Sequence, residues 1–533
     1  MSDLVLLGDE AVALGAIHAG LSGAYGYPGT PSSEILEYLI KTADKTKAFR
    51  ASWCSNEKTA YENALGVSFA GRRAIVTMKH VGLNVAADPF MNSALLKING
   101  GLVIVVADDP GMHSSQGEQD SRFFADFAKV PCFEPVNQQQ AYEMTREAFD
   151  ISEKYHVPVL IRMVTRLAHS RAVIRPWDEI RAQNEICKPE DTRGWRLLPA
   201  LARKLWVELL ETNKAFAAYS EESDFNPLTL AGTELGVITT GLGKNYFEEN
   251  KGEMGINPSH LHIGFYPAPK DKINKLAAHV KKLLVIEEGY PVIETALKGI
   301  LPQNIEIAGK LDGSVPLTGE LDPDVVRPAL GLPEISSVKV DALPGRPPQL
   351  CQGCPHIDSY EAINNAIKDY PRSIVASDIG CYSLGALPPY NAIETIICMG
   401  ASIGTAQGAA EVGLKPAVAV IGDSTFYHSG MTALINAASA NSPITVVILD
   451  NSTVAMTGGQ TTILPSEKLV NLVIGLGADP EHVKVINPIR KNLEENTAVV
   501  KKELEYEGLS VIIAVRECLE EAKRRIKREK LNK

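Results

Sequence analysis

The chain has 533 residues, 45% of them hydrophobic and 22% charged, an ordinary balance for a globular protein and too long for one core, so about three domains are expected. Lys+Arg 53 against Asp+Glu 64 gives a net charge of −11, which argues against a nucleic-acid partner or a membrane-surface role. The longest apolar runs, 102–107 and 444–449, are strand-length, and the opening MSDLVLLGDEAVALG has no basic leader, so a cytoplasmic protein without a membrane span is expected.

In chain order, residues 1–175 alternate apolar strands (24–27, 73–78, 101–107, 158–163) with helices, the pattern of an α/β doubly wound parallel sheet. Residues 176–230 change to a helical linker or arm, with an amphipathic helix expected over 195–216. A second, smaller α/β region covers 231–330, with strands at 235–239, 261–264 and 283–287. A Pro-rich connector (331–348, including LPGRPP) leads to a third α/β region over 349–533. The tail EAKRRIKREKLNK reads as a solvated terminal helix.

The stretch GDSTFYHSGMTALINAASANSPITVVILDNSTVAMTGGQ (422–460) is the most informative. An apolar strand delivers Gly422, Asp423 and Ser424 into a turn, a small-residue helix follows, and a second strand ends at Asp450 and Asn451. The 27 residues between Asp423 and Asn451 suffice for one strand–helix–strand crossover, so both emerge at the carboxyl ends of neighbouring parallel strands, where open α/β sheets bind ligands. A carboxylate, an amide oxygen and a backbone carbonyl near Thr453 are hard ligands. They suit a Mg²⁺ that keeps its remaining positions for a diphosphate, and the spacing is that of the thiamine diphosphate signature. Alone, the same residues also describe a plain βαβ unit. If the last region grips a diphosphate, the first should offer a carboxylate to N1′ of the aminopyrimidine, from an apolar pocket as acid/base groups generally require. Glu57, opening a small-residue helix after a strand, fits best, although a Glu in a first helical turn is more often a dipole-friendly cap.

Eight cysteines are present: Cys54, Cys132, Cys187, Cys351, Cys354, Cys381, Cys398 and Cys518. In a large cytoplasmic protein, ligation or burial is favoured over disulfides. Cys351 and Cys354 form a Cys-x-x-Cys; Pro355 stands where a c-type haem site needs His, and a zinc site stays open without a second such pair to complete it. Cys54, Cys132 and Cys187 are expected to be plain core or surface residues.

The strings YPGTPSSE (27–34), SNEK (55–58), MKHVGLN (78–84), DDPGMHSSQGEQD (108–120), CQGCPH (351–356), DIGCYSLGALPPYN (378–391), MGASIG (399–404) and the 422–460 stretch resemble, in family order, the alpha subunits of indolepyruvate:ferredoxin oxidoreductases. The resemblance implies two thiamine-diphosphate-binding domains, a pyrimidine type (1–175) and a diphosphate type (349–533), with a transketolase-C-terminal-like domain (231–330) between. It implies oxidative decarboxylation of aryl 2-oxoacids to acyl-CoA, with electrons passed to ferredoxin. Carried over residue by residue, Glu57 activates the pyrimidine, while Asp423, Asn451 and the Thr453 carbonyl hold Mg²⁺. Gly422, Ser424, Gly400 and Ser402 line the cofactor. Thr30 meets the substrate's carbonyl or carboxylate end, and His113, Ser114 and Gln116 are pocket groups.

The family usually continues into a ferredoxin-like module with two cysteine runs, whereas this sequence stops at Lys533, so those two clusters are expected to be missing. Related enzymes hold one further cluster through a Cys-x-x-Cys, a third Cys 25–30 residues on and a distant fourth. Cys351, Cys354, Cys381 and Cys518 reproduce that order, with 26 and 136 residues in the later gaps, and imply one [4Fe–4S] cluster. Cys398, in an apolar run, is expected to be a core residue. A smaller beta subunit carrying the CoA site, in an α₂β₂ assembly, is implied as well. The competing readings are a non-oxidative thiamine-dependent decarboxylase or carboligase, and a non-catalytic cofactor-binding subunit; an intact Glu57, Asp423 and Asn451 set speaks against the latter.

Overall fold

The computed structural model describes residues 3–301, 305–335 and 348–531, so most of the expected Pro-rich connector lies outside the described residues. The chain forms two compact units, Met1–Lys339 and Val340–Lys533, both of α/β type. Among the described residues no helix is long and apolar enough to cross a membrane.

The first unit is built on a seven-stranded sheet. Its order is Phe265–Tyr266, Cys132–Phe133, Val159–Val164, Leu102–Asp108, Ala74–Lys79, Gly23–Gly26 and Arg50–Trp53. The pairings are parallel except the first, which is antiparallel. Every residue of Ala74–Lys79, Leu102–Asp108 and Val159–Val164 is buried, as strands covered by helices on both faces must be, and this is why they read as mainly apolar runs, broken only by Thr77, Lys79, Asp108 and Arg162. A second sheet orders Glu306–Ala308, Lys282–Ile286, Gly232–Thr240, Pro258–Ile263 and Leu228–Thr229. Because Phe265–Tyr266 lies in sequence between two strands of that sheet, Pro258–Ile263 and Lys282–Ile286, yet pairs with Cys132–Phe133, the two α/β regions are joined within one unit. The arm helix spans Pro199–Glu222 rather than 195–216. Pro199 suits the first helical turn, where its missing N–H is no loss, and Arg193–Trp195 forms a separate short turn.

A buried ionic seam runs between these regions. Arg162 donates to the Asp108 carboxylate at 2.6 Å and pairs with Glu134, and Arg122 pairs with Asp120 and with Glu287 at 3.0 Å. The same guanidiniums reach the backbone oxygens of Glu288 and Tyr290, while Tyr266 donates its hydroxyl to Glu134 at 2.6 Å. Burial pushes Glu288 up to about 7 and Asp108 up to about 6.

The second unit is a six-stranded parallel sheet ordered Thr395–Ile396, Ile374–Ser377, Ala417–Gly422, Thr445–Asp450, Ser510–Val515 and Val483–Ile486. From Ile374–Ser377 the chain first adds a strand on one side and then crosses to the other, which makes a topological switch point beside Ala417–Gly422. Cys398 corrects the sequence reading: it is exposed, not a core residue. The strand expected to carry it has only two residues, Thr395–Ile396, and lies at the sheet edge, so the chain has left the ladder by Ile397, itself 58% exposed. The tail forms the helix Leu519–Leu531.

Candidate functional site

In the second unit, Gly422 pairs with Leu449 across neighbouring parallel strands, so Asp423 and the Asp450–Asn451 pair leave the sheet at one height. The backbone N–H of Ser452 is shared, at 3.0 Å to Asp423 Oδ2 and 3.1 Å to Asp450 Oδ1. Two carboxylates are thereby held side by side in the interior. Asp450 Oδ2 is buried with no hydrogen-bond partner, and burial followed by the charge of Asp450 pushes Asp423 well above the usual carboxylate range. Such a pair is costly unless a cation joins it, and the donors are the hard oxygens that Mg²⁺ takes. Gly422 is required where it stands, since a Cβ there would lie 2.5 Å from the Tyr382 ring.

Asn451 is fixed from both ends. Its Oδ1 accepts from Thr453 N at 3.1 Å, and its Nδ2 donates to His356 Nε2 at 3.3 Å. Burial pushes His356 down to about 4, which keeps the imidazole neutral and able to accept. Gly400 and Ser402 open the Ala401–Glu411 helix, and both point their backbone N–H groups at Asp378, at 3.2 and 3.4 Å; Ser402 adds its hydroxyl at 2.6 Å. Burial pushes Asp378 up to about 7. Ser424 sits in the turn after Asp423, and the helix there passes through a π-helical turn, Phe426–Gly430, against which Gly400 packs.

Cys351, Cys354, Cys381 and Cys518 lie within electrostatic reach of one another near this edge. Burial comes first in pushing Cys381 up to about 12, followed by the thiols of Cys354, Cys518 and Cys351; Cys354 is pushed up to about 11 by burial and then by Cys351 and Cys518. Cys518 N donates to the Asn451 carbonyl at 3.3 Å, and His356, the neighbour of Asn451, lies two residues beyond Cys354. Cys518, through its backbone N–H, and His356, in the segment after the Cys-x-x-Cys, therefore both contact Asn451. Asp450, Asp378 and His356 are the groups that sequence reasoning missed here; each sits at a strand end or directly after the Cys-x-x-Cys, and that position was the available signal.

In the first unit, Glu57 is buried at the start of the Glu57–Phe69 helix, which Asn56 caps by accepting from Thr59 N at 2.8 Å. Its carboxyl lies against Gly82, where a Cβ would come within 2.7 Å of Glu57 Cγ and Oε1. Gly82 is a further missed residue, since it makes room for Glu57. Thr30 is half-buried in the tight loop before the Ser33–Thr46 helix, and its carbonyl accepts from Ser114 Oγ at 3.4 Å. Ser114 and Gln116 are exposed, and His113 lies outward, 3.3 Å from Glu320. Lys79, buried at the end of its strand, donates to Ser114 O at 2.8 Å and is pushed down to about 8 by burial, against the pull of Asp109. It is the buried cation of this edge and was also missed.

The family model described as pyruvate flavodoxin/ferredoxin oxidoreductase, thiamine diphosphate-binding, matches residues 14–213, and the thiamine pyrophosphate enzyme C-terminal TPP-binding domain matches 378–514. The chain is 37% identical to the indolepyruvate oxidoreductase subunit IorA of Methanothermobacter thermautotrophicus, over 97% of this chain and 87% of that one. It is 37% identical to the subunit of the same name from Archaeoglobus fulgidus, over 96% of this chain and 86% of that one. A solved 2-oxoglutarate:ferredoxin oxidoreductase from Magnetococcus marinus covers 58% of this chain and 62% of its own at 17% identity, with a TM-score of 0.49.

Proposed function

Since the chain belongs to the indolepyruvate oxidoreductase IorA family, thiamine diphosphate-dependent 2-oxoacid:ferredoxin oxidoreductases, we propose that it oxidatively decarboxylates an aryl 2-oxoacid such as indolepyruvate to an acyl-CoA. Cys351, Cys354, Cys381 and Cys518 would hold one [4Fe–4S] cluster able to pass electrons on to ferredoxin, and a smaller beta subunit would complete the enzyme as α₂β₂. The observation that carries this reading is the contact of Asn451 with both Cys518 and His356, which sets the thiol group beside the loop that offers Asp423 and Asn451.

The residues fit the groups assigned to them. Asp423 and Asp450 bring two carboxylates and Asn451 an amide, with the Thr453 carbonyl completing a set of hard oxygens for Mg²⁺ and, through it, the diphosphate. Gly422, Ser424, Gly400 and Ser402 lie around that loop. Cys351, Cys354, Cys381 and Cys518 supply four thiolates. Among the described residues, no three of these sulfurs gather within 4.8 Å, whereas zinc with bonds of about 2.3 Å would draw its thiolates closer together than that. A cluster, which spreads its ligands over several irons, accommodates the looser set. Bound thiamine diphosphate supplies the carbon nucleophile for the 2-oxo carbon and accepts the electrons left when CO₂ departs. Glu57 holds and returns a proton at pyrimidine N1′, Thr30 orients the 2-oxoacid, Lys79 offers a buried positive charge linked to Thr30 through Ser114, and His113 stands at the rim.

Anaerobic co-expression with a beta subunit is expected to give CoA-dependent dye or ferredoxin reduction with indolepyruvate, and little without CoA or without the partner. Release of CO₂ and aldehyde with no CoA-dependent reduction would instead establish the non-oxidative decarboxylase. Asp423→Ala and Asn451→Ala are each expected to weaken thiamine diphosphate binding steeply by calorimetry, with partial recovery at high Mg²⁺. Unchanged affinity in both would remove the metal assignment.

A further inference from the structure

Three segments of the first unit converge at a cluster that the proposed reaction does not use. Asp9 is the second residue of the Gly8–His18 helix, Glu34 the second of Ser33–Thr46, and His169 the last of Thr165–His169. One ligand atom from each lies within 4.8 Å of the others, and His169 Nε2 stands 3.6 Å from Glu34 Oε1. Asp9 is 0% exposed, yet neither carboxylate oxygen has a hydrogen-bond partner; Glu34 Oε2 is also buried without one.

The helix terminus does not account for Asp9. Glu10 performs the cap, accepting from Leu7 N at 2.9 Å, and leaves Asp9 turned to the cluster with no donor. A bare carboxylate in the interior costs several kcal/mol or neutralises itself, so its setting calls for a positive charge. Burial, with Glu34 and Glu10 adding to it, pushes Asp9 well above the usual carboxylate range, and His169 alone cannot balance two acids. The arrangement is fixed by backbone. A Cβ at Gly8 would lie 2.2 Å from the Leu167 carbonyl oxygen, so only glycine lets the first helix press against the Thr165–His169 turn, and Gly8 N bonds Ser170 O at 3.3 Å.

We propose that Asp9, Glu34 and His169 bind a divalent transition-metal ion. Two carboxylates and one imidazole cancel a 2+ charge and belong to the ligand types that Mn²⁺ and Zn²⁺ accept. Metal–ligand bonds of about 2.0–2.2 Å place neighbouring ligand atoms about 3–3.5 Å apart, close to the 3.6 Å separation of His169 and Glu34. Both of these side chains are 37% exposed, which gives the ion an entry route and water ligands, while Asp9 forms the floor. Glu34 lies in the first turn of the helix that follows the loop carrying Thr30, and that loop is braced to the helix by Ser33 Oγ accepting from Gly29 N at 2.9 Å. The ion therefore ties that loop to the first helix and to the turn after Val159–Val164.

The test uses the full-length chain stripped with a chelator, without thiamine diphosphate, in an Asp423→Ala background that disables the other carboxylate pair. Mn²⁺ alone is the probe, since thiolates contribute little to its binding. Counting free Mn²⁺ by electron paramagnetic resonance is expected to reveal one site per chain and a Mn²⁺-dependent rise in melting temperature. Adding Asp9→Asn, nearly isosteric, or His169→Gln is expected to weaken that site by at least about 10- to 100-fold and to remove the rise. No saturable Mn²⁺ at millimolar concentration, or an affinity unchanged by both substitutions, overturns the proposal and leaves Asp9 a protonated acid.

Discussion

Glu57→Gln is expected to fold, to bind thiamine diphosphate with near-normal affinity and to lose turnover by about 10²–10⁴-fold or more. The substitution preserves size and hydrogen bonding at the mouth of the Glu57–Phe69 helix but removes the exchangeable proton that the pyrimidine ring needs. Cofactor affinity is spared because Mg²⁺ and the diphosphate are assigned to Asp423 and Asn451, residues of the other unit. Deuterium exchange at the cofactor's C2 separates the effects: it should slow with turnover while calorimetric affinity holds. Gly82→Ala attacks the same function from behind, since the added methyl would come 2.7 Å from the carboxyl and drive it off line. Near-normal exchange in Glu57→Gln would remove the assignment.

Serine at any one of Cys351, Cys354, Cys381 or Cys518 is expected to abolish ferredoxin-linked oxidation and to bleach the broad visible absorption, because a serine oxygen is a poor substitute for a thiolate on iron. Anaerobically purified wild type should carry about four irons and matching sulfide per chain. Cys398→Ser is the control. Being exposed, Cys398 owes nothing to the core, and the variant should keep both iron and stability. Full iron content in Cys518→Ser would place the fourth ligand elsewhere.

What the sequence disclosed and what it withheld divide along physical lines. The Asp423–Asn451 spacing was legible because one strand–helix–strand crossover has a nearly fixed length, and the long buried strands were legible because burial on both faces demands unbroken apolar runs. Asp450 was not, since nothing in Asp450-Asn451-Ser452 reveals that its carboxylate shares an amide with Asp423. The same holds for Asp378, whose role depends on a helix start more than twenty residues away. Cys398 misled because an apolar run gives no sign of lying at a sheet edge. Phe265–Tyr266, two residues long, carries no periodicity at all, yet decides that two α/β regions share one unit. Asp9, Glu34 and His169 are spread over the first third of the chain, and only the folded helices reveal that their ligand atoms meet.

The ionic seam between Arg122, Arg162 and their carboxylates bears on how this protein can be dissected. A fragment ending near residue 230 would keep Arg122, Arg162, Asp108 and Glu134 but lose Glu287, the Tyr266 hydroxyl and the carbonyls of Glu288 and Tyr290. It would also strip the antiparallel neighbour from Cys132–Phe133 and bare a sheet edge. Removing one partner of a buried charge pair costs about 3–5 kcal/mol, a large share of what holds a typical domain folded. The two α/β regions of the first unit are thus expected to unfold as a single cooperative block, with one calorimetric transition between them, and a fragment ending near residue 230 is expected to melt well below the whole unit.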